Sequence, residues 1–213
     1  MRVCGILLGV YVSSLLIANL IAGVKLVNIF GFVLPVAFLP YSITFPITDV
    51  VAELFGFKAS KEFVKVGFIS NLFALLLISV GYLMPSLTPE MQELYTTAFM
   101  PMFRVVLASL TAFIISQYLD VYVFWLLREK TKGRHLWLRN NVGELVAQFI
   151  DTLIFITLAF YDVVSISVLI NMIFSQYIWK LVVAISDTPF VYLTLHIIRN
   201  LSRWEVVDQV SSS

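Results

Sequence analysis

Residues 140–160 read NNVGELVAQFIDTLIFITLAF, a run apolar enough to cross a bilayer that nevertheless carries Gln148 and Asp151 near its middle. A carboxylate at the centre of a membrane helix costs about 2.5–3.5 kcal/mol on insertion scales, so the protein must supply a partner or a cavity for it. On a helix, Gln148, Asp151 and Phe155 project from a shared face, leaving Leu153, Ile154 and Ile156 to meet lipid or neighbouring helices.

The rest of the chain has the same character. Of its 213 residues, 60% are hydrophobic and 13% charged, about half the charged share of a soluble protein. With a mean hydropathy of +0.95, such a chain cannot build a water-soluble surface. The expected fold is an all-α membrane protein, a bundle of six transmembrane helices with both termini cytoplasmic. Residues 1–198 form one six-span domain and 199–213 a polar cytoplasmic tail. Arg2 precedes an apolar run longer than a signal-peptide core, which reads as a retained first span. The net charge of +1 gives no reason to expect nucleic-acid binding. Cys4, the one cysteine, allows neither an internal disulfide nor a cysteine metal cluster.

Outward from residues 140–160, the spans fall at 5–27, 34–55, 63–84, 102–127 and 165–198. The second contains Pro35, Pro40 and Pro46, which predicts a kinked or partly unwound helix. Residues 28–34 read as a break, 56–62 as a connector, and 85–100 as a loop or short surface helix. The segment 128–141, with Arg128, Lys130, Lys132, Arg134, His135 and Arg139, reads as a basic hairpin. A tight turn is expected at Tyr161 and Asp162, and Pro189 is expected to bend or end the sixth helix. Arg2, then Lys58, Lys61 and Lys65, then the basic hairpin, then Arg199 and Arg203 all fall on one side of this arrangement. The loops near 28–34, 85–100 and 161–165 carry no Lys or Arg, so the positive-inside rule places both termini in the cytoplasm.

Asp49, Asp120, Asp151, Lys180 and Asp187 then lie between the mid-plane and the cytoplasmic third, on four helices. Opposite charges at similar depth predict that Lys180 pairs with one or more of the carboxylates. A short pattern recurs as Ser116-Gln117-Tyr118-Leu119-Asp120, Ala147-Gln148-Phe149-Ile150-Asp151 and Ser175-Gln176-Tyr177-Ile178-Trp179-Lys180, each placing an amide and a charge on one helical face. Amide and carboxylate groups between aromatic faces are the means by which a flat nucleobase-like ligand is read. No Gly-x-Ser-x-Gly, His-Glu-x-x-His or P-loop is present, and His135 and His196 make a poor metal pair. Neither an enzyme nor a metal or cofactor protein is expected.

Several local patterns resemble the queuosine precursor transporters, the vitamin-uptake-like family. They are Thr48-Asp49, then Gln117-x-x-Asp120-Val121-x-Val123-Phe124 followed by Leu127-Arg128, then Trp137-Leu138-Arg139-Asn140-Asn141 leading to Gln148-x-x-Asp151-Thr152-x-x-Phe155, and Lys180. The resemblance runs over nearly the whole chain in matching order. It implies a six-helix transporter in the cell (inner) membrane that imports 7-deazaguanine bases, such as 7-cyano-7-deazaguanine and 7-aminomethyl-7-deazaguanine, for tRNA modification. Where the family commonly has Ser-Thr, this chain has Gly143-Glu144.

With such a substrate, Asp151 or Asp120 would take the donor edge of the base, flanked by Gln148 and Gln117. Lys180 would balance the charge, and Asp49 with Asn19 would complete the site, Asp49 also serving proton coupling. Other readings stay open. One is a substrate-binding subunit of an energy-coupling-factor vitamin importer, for which Ala18 and Ala22 offer a small-x-x-x-small face to a coupling subunit. Another is a structural membrane protein whose buried ion pairs only specify packing, and a membrane enzyme is third. A homodimer through 85–100 or an exposed helix face is compatible with any of them.

Overall fold

A 21-residue apolar segment is about 31 Å long as a helix, enough to cross the hydrocarbon of a bilayer, and α1 occupies such a segment at Arg2–Ala22. The computed structural model describes residues 2–131 and 136–211. After α1 come β1 (Leu26–Ile29), β2 (Phe32–Pro35), α2 (Phe38–Phe55), α3 (Phe57–Leu83), α4 (Pro89–Phe99), α5 (Pro101–Lys130), α6 (Leu136–Phe160) and α7 (Ile166–Ser211). Within these, Val3–Ala22, Lys58–Leu83, Pro89–Ser116 and Ile166–Val183 are long and apolar enough to cross a membrane, and Leu145–Phe160 is a shorter apolar helix. The basic hairpin expected at 128–141 is narrower, because α5 runs on to Lys130 and α6 begins at Leu136, and residues 132–135 of it lie outside the described residues.

The purely helical expectation is corrected at residues 26–35, where the predicted break is an antiparallel hairpin. Ile29 pairs with Phe32, leaving Phe30 and Gly31 as a two-residue turn with φ of +53° and +91°. Positive φ at both central residues is what a type I′ turn requires, and glycine meets it at no steric cost. Asn28 Oδ1 accepts the Gly31 N–H at 2.9 Å, which compensates in part for holding Phe30 in the left-handed region. The Val36 N–H donates to the Lys25 carbonyl at 2.9 Å and closes the base of the hairpin.

Of the kink or partial unwinding expected in the second span, the unwinding does not occur: α2 is continuous from Phe38 to Phe55. Pro35 ends β2, Pro40 sits in the first turn of α2 where an N–H has no helical partner anyway, and Pro46 lies inside the helix. Around Pro46, the Thr44 and Thr48 hydroxyls donate to the carbonyls of Tyr41 and Phe45 at 2.6 and 2.7 Å. The expected connector at 56–62 shrinks to Gly56, which breaks the chain at φ +87° before α3 begins. Residues 89–99 form α4, with Thr88 as its cap accepting the Met91 N–H at 3.4 Å. The predicted turn after α6 is present, with Asp162 at φ +63°. Pro189 does not end the last helix, because α7 continues through it to Ser211.

Packing rests on small residues that let helices approach. The main core joins Ala18 and Ala22 of α1, Ala37 before α2, Val105 and Ala108 of α5, Ile156, Ala159 and Phe160 of α6, and Leu169, Met172 and Ile173 of α7. Ala18 and Ala22 are each 2% exposed, so the small-residue face of α1 is filled by the chain's own helices. At Gly23 a Cβ would lie 2.5 Å from the Pro101 Cβ, which pins the end of α1 against the start of α5. Arg104 donates to the carbonyls of Leu158, at 2.7 Å, and of Tyr161, placing a cation at the C-terminus of α6 where the helix dipole favours it.

Asn171 of α7 fastens the hairpin to the bundle. Its Oδ1 accepts the Val33 N–H at 2.9 Å and its Nδ2 donates to the Gly31 carbonyl at 3.1 Å, while Ser175 donates to the same Oδ1 at 2.9 Å. Removing these bonds with Asn171→Ala should lower the local opening free energy by about 1–2 kcal/mol. Hydrogen–deuterium exchange across 26–35 should then accelerate roughly 5–30-fold while that of α3 is unchanged.

Candidate functional site

Six helices that contribute one or a few polar side chains each line a cavity of about 300 Å³. That is the lower end of the range for small-ligand pockets. From α1 come Tyr11 and Asn19, from α2 Tyr41, Thr44 and Thr48, from α3 Asn71, from α5 Ser109, and from α6 and α7 Asp151, Gln176 and Lys180. Apolar walls include Phe38, Phe45, Phe68, Phe113 and Phe155. A mostly apolar enclosure with a few convergent polar groups is the usual design of a site for a flat organic ligand.

The centre of the polar lining is an ion pair. Lys180 Nζ donates to Asp151 Oδ2 at 2.6 Å, with the Lys180 and Asp151 side chains 9% and 24% exposed. Ser116 of α5 donates to Asp151 Oδ1 at 3.4 Å. Each carboxylate oxygen thus has a partner, and three helices meet at one residue. Separating the charges would leave two desolvated ions, whereas together they satisfy each other.

Opposite them, Asn19 Nδ2 donates to Asn71 Oδ1 at 2.8 Å, and Asn71 Nδ2 donates to the Gly67 carbonyl at 3.0 Å. Gly67 matters to this arrangement because a Cβ there would fall 2.7 Å from Leu15 and 2.8 Å from Tyr11. Its absence brings α3 close enough to α1 for the two amides to meet. On the α2 side, Trp179 donates from Nε1 to Ser42 Oγ at 2.8 Å, and its ring meets Phe38 edge-on with centroids 4.8 Å apart. These contacts hold the start of α2 against α7, next to the helical turn that carries Lys180.

Of the residues singled out in the sequence, Asn19, Asp151 and Lys180 are brought together around the cavity. Phe155, expected on the Asp151 face, lines it too. Gln148 lies on α6 with its carbonyl accepting from Thr152 at 2.8 Å, and it is not among the described lining residues. Asp49 is exposed on α2, although its neighbour Thr48 lines the cavity. Gln117 and Asp120 fall on α5 and Asp187 on α7, with side chains outside the described residues.

Sequence reasoning passed over Asn71, Tyr41 and Thr44, and gave Gln176 no role beyond its place in the recurring pattern. The available signal for Asn71 was an amide in the middle of an otherwise apolar run. Among the described residues, no group of three or more His, Cys, Asp or Glu stands where it could hold a metal ion.

Comparison with known proteins supplies the wider setting. A family model described as "Putative vitamin uptake transporter" matches residues 35–194. The chain is 35% identical over 183 residues to the "Probable queuosine precursor transporter" of Bacillus subtilis (strain 168), an alignment covering 84% of this chain and 80% of that protein. No solved structure matches.

The ion pair makes a direct prediction about stability. Lys180→Met leaves Asp151 without its cation and should destabilise the protein by about 3 kcal/mol, whereas the double variant Asp151→Leu/Lys180→Met should recover most of that loss. Thermal unfolding in one detergent reads both, and equal midpoints for the single and double variants would show that the two charges are not coupled.

Proposed function

Because this chain belongs to the vitamin uptake transporter family, with a relative named as a queuosine precursor transporter, we propose that it imports 7-deazaguanine bases for tRNA modification. Its substrates on this reading are 7-cyano-7-deazaguanine, 7-aminomethyl-7-deazaguanine or closely related bases. The observation that carries the reading is the Asp151–Lys180 pair, joined by Ser116 where α5, α6 and α7 meet, at the edge of an aromatic-walled cavity. An ion pair needed only for packing has no use for an adjoining cavity of about 300 Å³, and filling that space with side chains would stabilise the fold.

In the proposed site, Asp151 accepts from the donor edge of the base, Lys180 balances its charge, and Asn19, held by Asn71, contributes an amide from the opposite wall. Phe155 and Phe113 supply ring faces for the heterocycle. Gln117 and Asp120, on the same helix as Ser116, are proposed to extend the site along α5. The protein on this reading is a multi-pass transporter of the cell (inner) membrane and not an enzyme.

The proposed topology crosses the bilayer with α1, α2, α3, α5, α6 and α7, and leaves α4 and the hairpin on the outer side. The distribution of Lys and Arg supports that orientation, with both termini cytoplasmic. Lys25 and Arg104 are at the outer end, and Arg104 is engaged by the α6 carbonyls.

The test is uptake of labelled 7-deazaguanine bases by cells that cannot synthesise them, with and without this protein. Asp151→Asn keeps an acceptor oxygen for Lys180 but removes the opposing charge, so its abundance is measured alongside, and uptake per molecule in the membrane should fall to background. Normal uptake by a well-expressed Asp151→Asn variant would remove this residue from the transport path, and no uptake by the parent protein would defeat the substrate assignment.

A further inference from the structure

Among the described residues, one solvent-shielded polar side-chain atom on the cavity lining has no hydrogen-bond partner. Asn19 and Asn71 bond to each other, Thr44 and Thr48 donate to their own helix, and Asp151 accepts from Lys180 and Ser116. Gln176 differs. Its side chain lines the cavity, its Oε1 is shielded from solvent, and no described donor reaches that atom. Buried polar atoms in native proteins are nearly always satisfied, so an unpartnered one on a residue that lines a cavity points to a group that binds there once the amide turns toward it.

Position strengthens the argument. Gln176 is one helical turn before Lys180 on α7, so the two side chains leave the helix on the same face. Each Asp151 oxygen already has one donor and keeps a second lone pair, enough to accept from the exocyclic amine of a base. The lactam beside that amine is then left for Gln176, whose Oε1 has no partner of its own.

We propose that Gln176 is the specificity-determining amide of the site, reading the lactam edge of an uncharged planar heterocycle. Its Oε1 accepts the ring N–H and its Nε2 donates to the adjacent carbonyl, two parallel bonds that a side-chain amide and a lactam can form together. The ion pair stays intact beside them and presents a net-neutral wall to the ligand. This assignment rests on the proposed transport of 7-deazaguanine bases and deepens it by naming the residue that recognises the base.

The experiment uses the full chain purified in detergent, with binding of 7-cyano-7-deazaguanine measured by calorimetry and unfolding measured without ligand. Gln176→Leu removes an unsatisfied buried acceptor, so its ligand-free melting midpoint should equal or exceed that of the parent protein. Its affinity for the base should fall at least about tenfold. An analogue methylated at the lactam nitrogen should bind parent and variant equally weakly, because neither can form the bond. If Gln176→Leu lowers the ligand-free midpoint, Gln176→Met, a closer match in shape, takes its place in the binding measurement.

Unchanged affinity for the base in the folded variant would overturn the assignment of Gln176 and leave the transport reading standing. The same holds if the variant weakens base and methylated analogue by equal factors, which would mark Gln176 as a packing residue. A parent protein that binds no 7-deazaguanine base would defeat the transport reading and this inference with it.

Discussion

The contact between Lys180 and Asp151 sets conditions that much of the bundle must meet. In an environment poor in water, a carboxylate and an ammonium 2.6 Å apart are tolerable only while they remain together. Their union fixes α6 against α7, and the Ser116 hydroxyl adds α5 to the same point. From there α7 reaches α2 through the Trp179–Ser42 hydrogen bond and the hairpin through Asn171. The remaining wall of the cavity is organised separately, by the amide pair between α1 and α3 that the bare Gly67 surface permits.

How much of this could be read in advance depended on whether a residue announces itself by charge. Lys180 and Asp151 could be matched from the sequence because opposite charges at similar depth in apolar helices have few other ways to be satisfied. Gln148 and Phe155 were assigned to the same face as Asp151, and seven residues apart they do lie within about 20° of each other around the helix axis. What separates them is distance along that axis, about 10 Å, and the cavity lies at the Asp151–Phe155 end of the interval. Thr48 and Asp49 show a second limit, since adjacent residues on a helix point about 100° apart and Thr48 alone lines the cavity. Asn71 was hidden for a different reason: its role arises from a partner 52 residues away, at a closeness that depends on a glycine in another turn.

Backbone features divided along similar lines. The apolar runs gave the long helices because their lengths match a membrane and little competes with helix there. Clusters of proline and glycine were less informative, since they mark where a regular element is under pressure and not what replaces it. At 26–35 the outcome was a hairpin, decided by positive φ at Phe30 and Gly31 and by an asparagine far along the chain. At Pro46 and Pro189 the helices continued. Neighbouring hydroxyls at Thr44 and Thr48 engage carbonyls beside the first of these.

One property of α7 follows from its lack of interruption. Asn171, which grips the hairpin, and Lys180, which grips Asp151, are nine residues apart in a single helix, or about 14 Å along its axis. Helical geometry fixes that interval almost as firmly as covalent bonds do. The segment therefore behaves as a gauge rod: a sliding or tilting of α7 that shifts one grip must shift the other by a related amount, and the hairpin and the charged groups of the cavity share one mechanical coordinate.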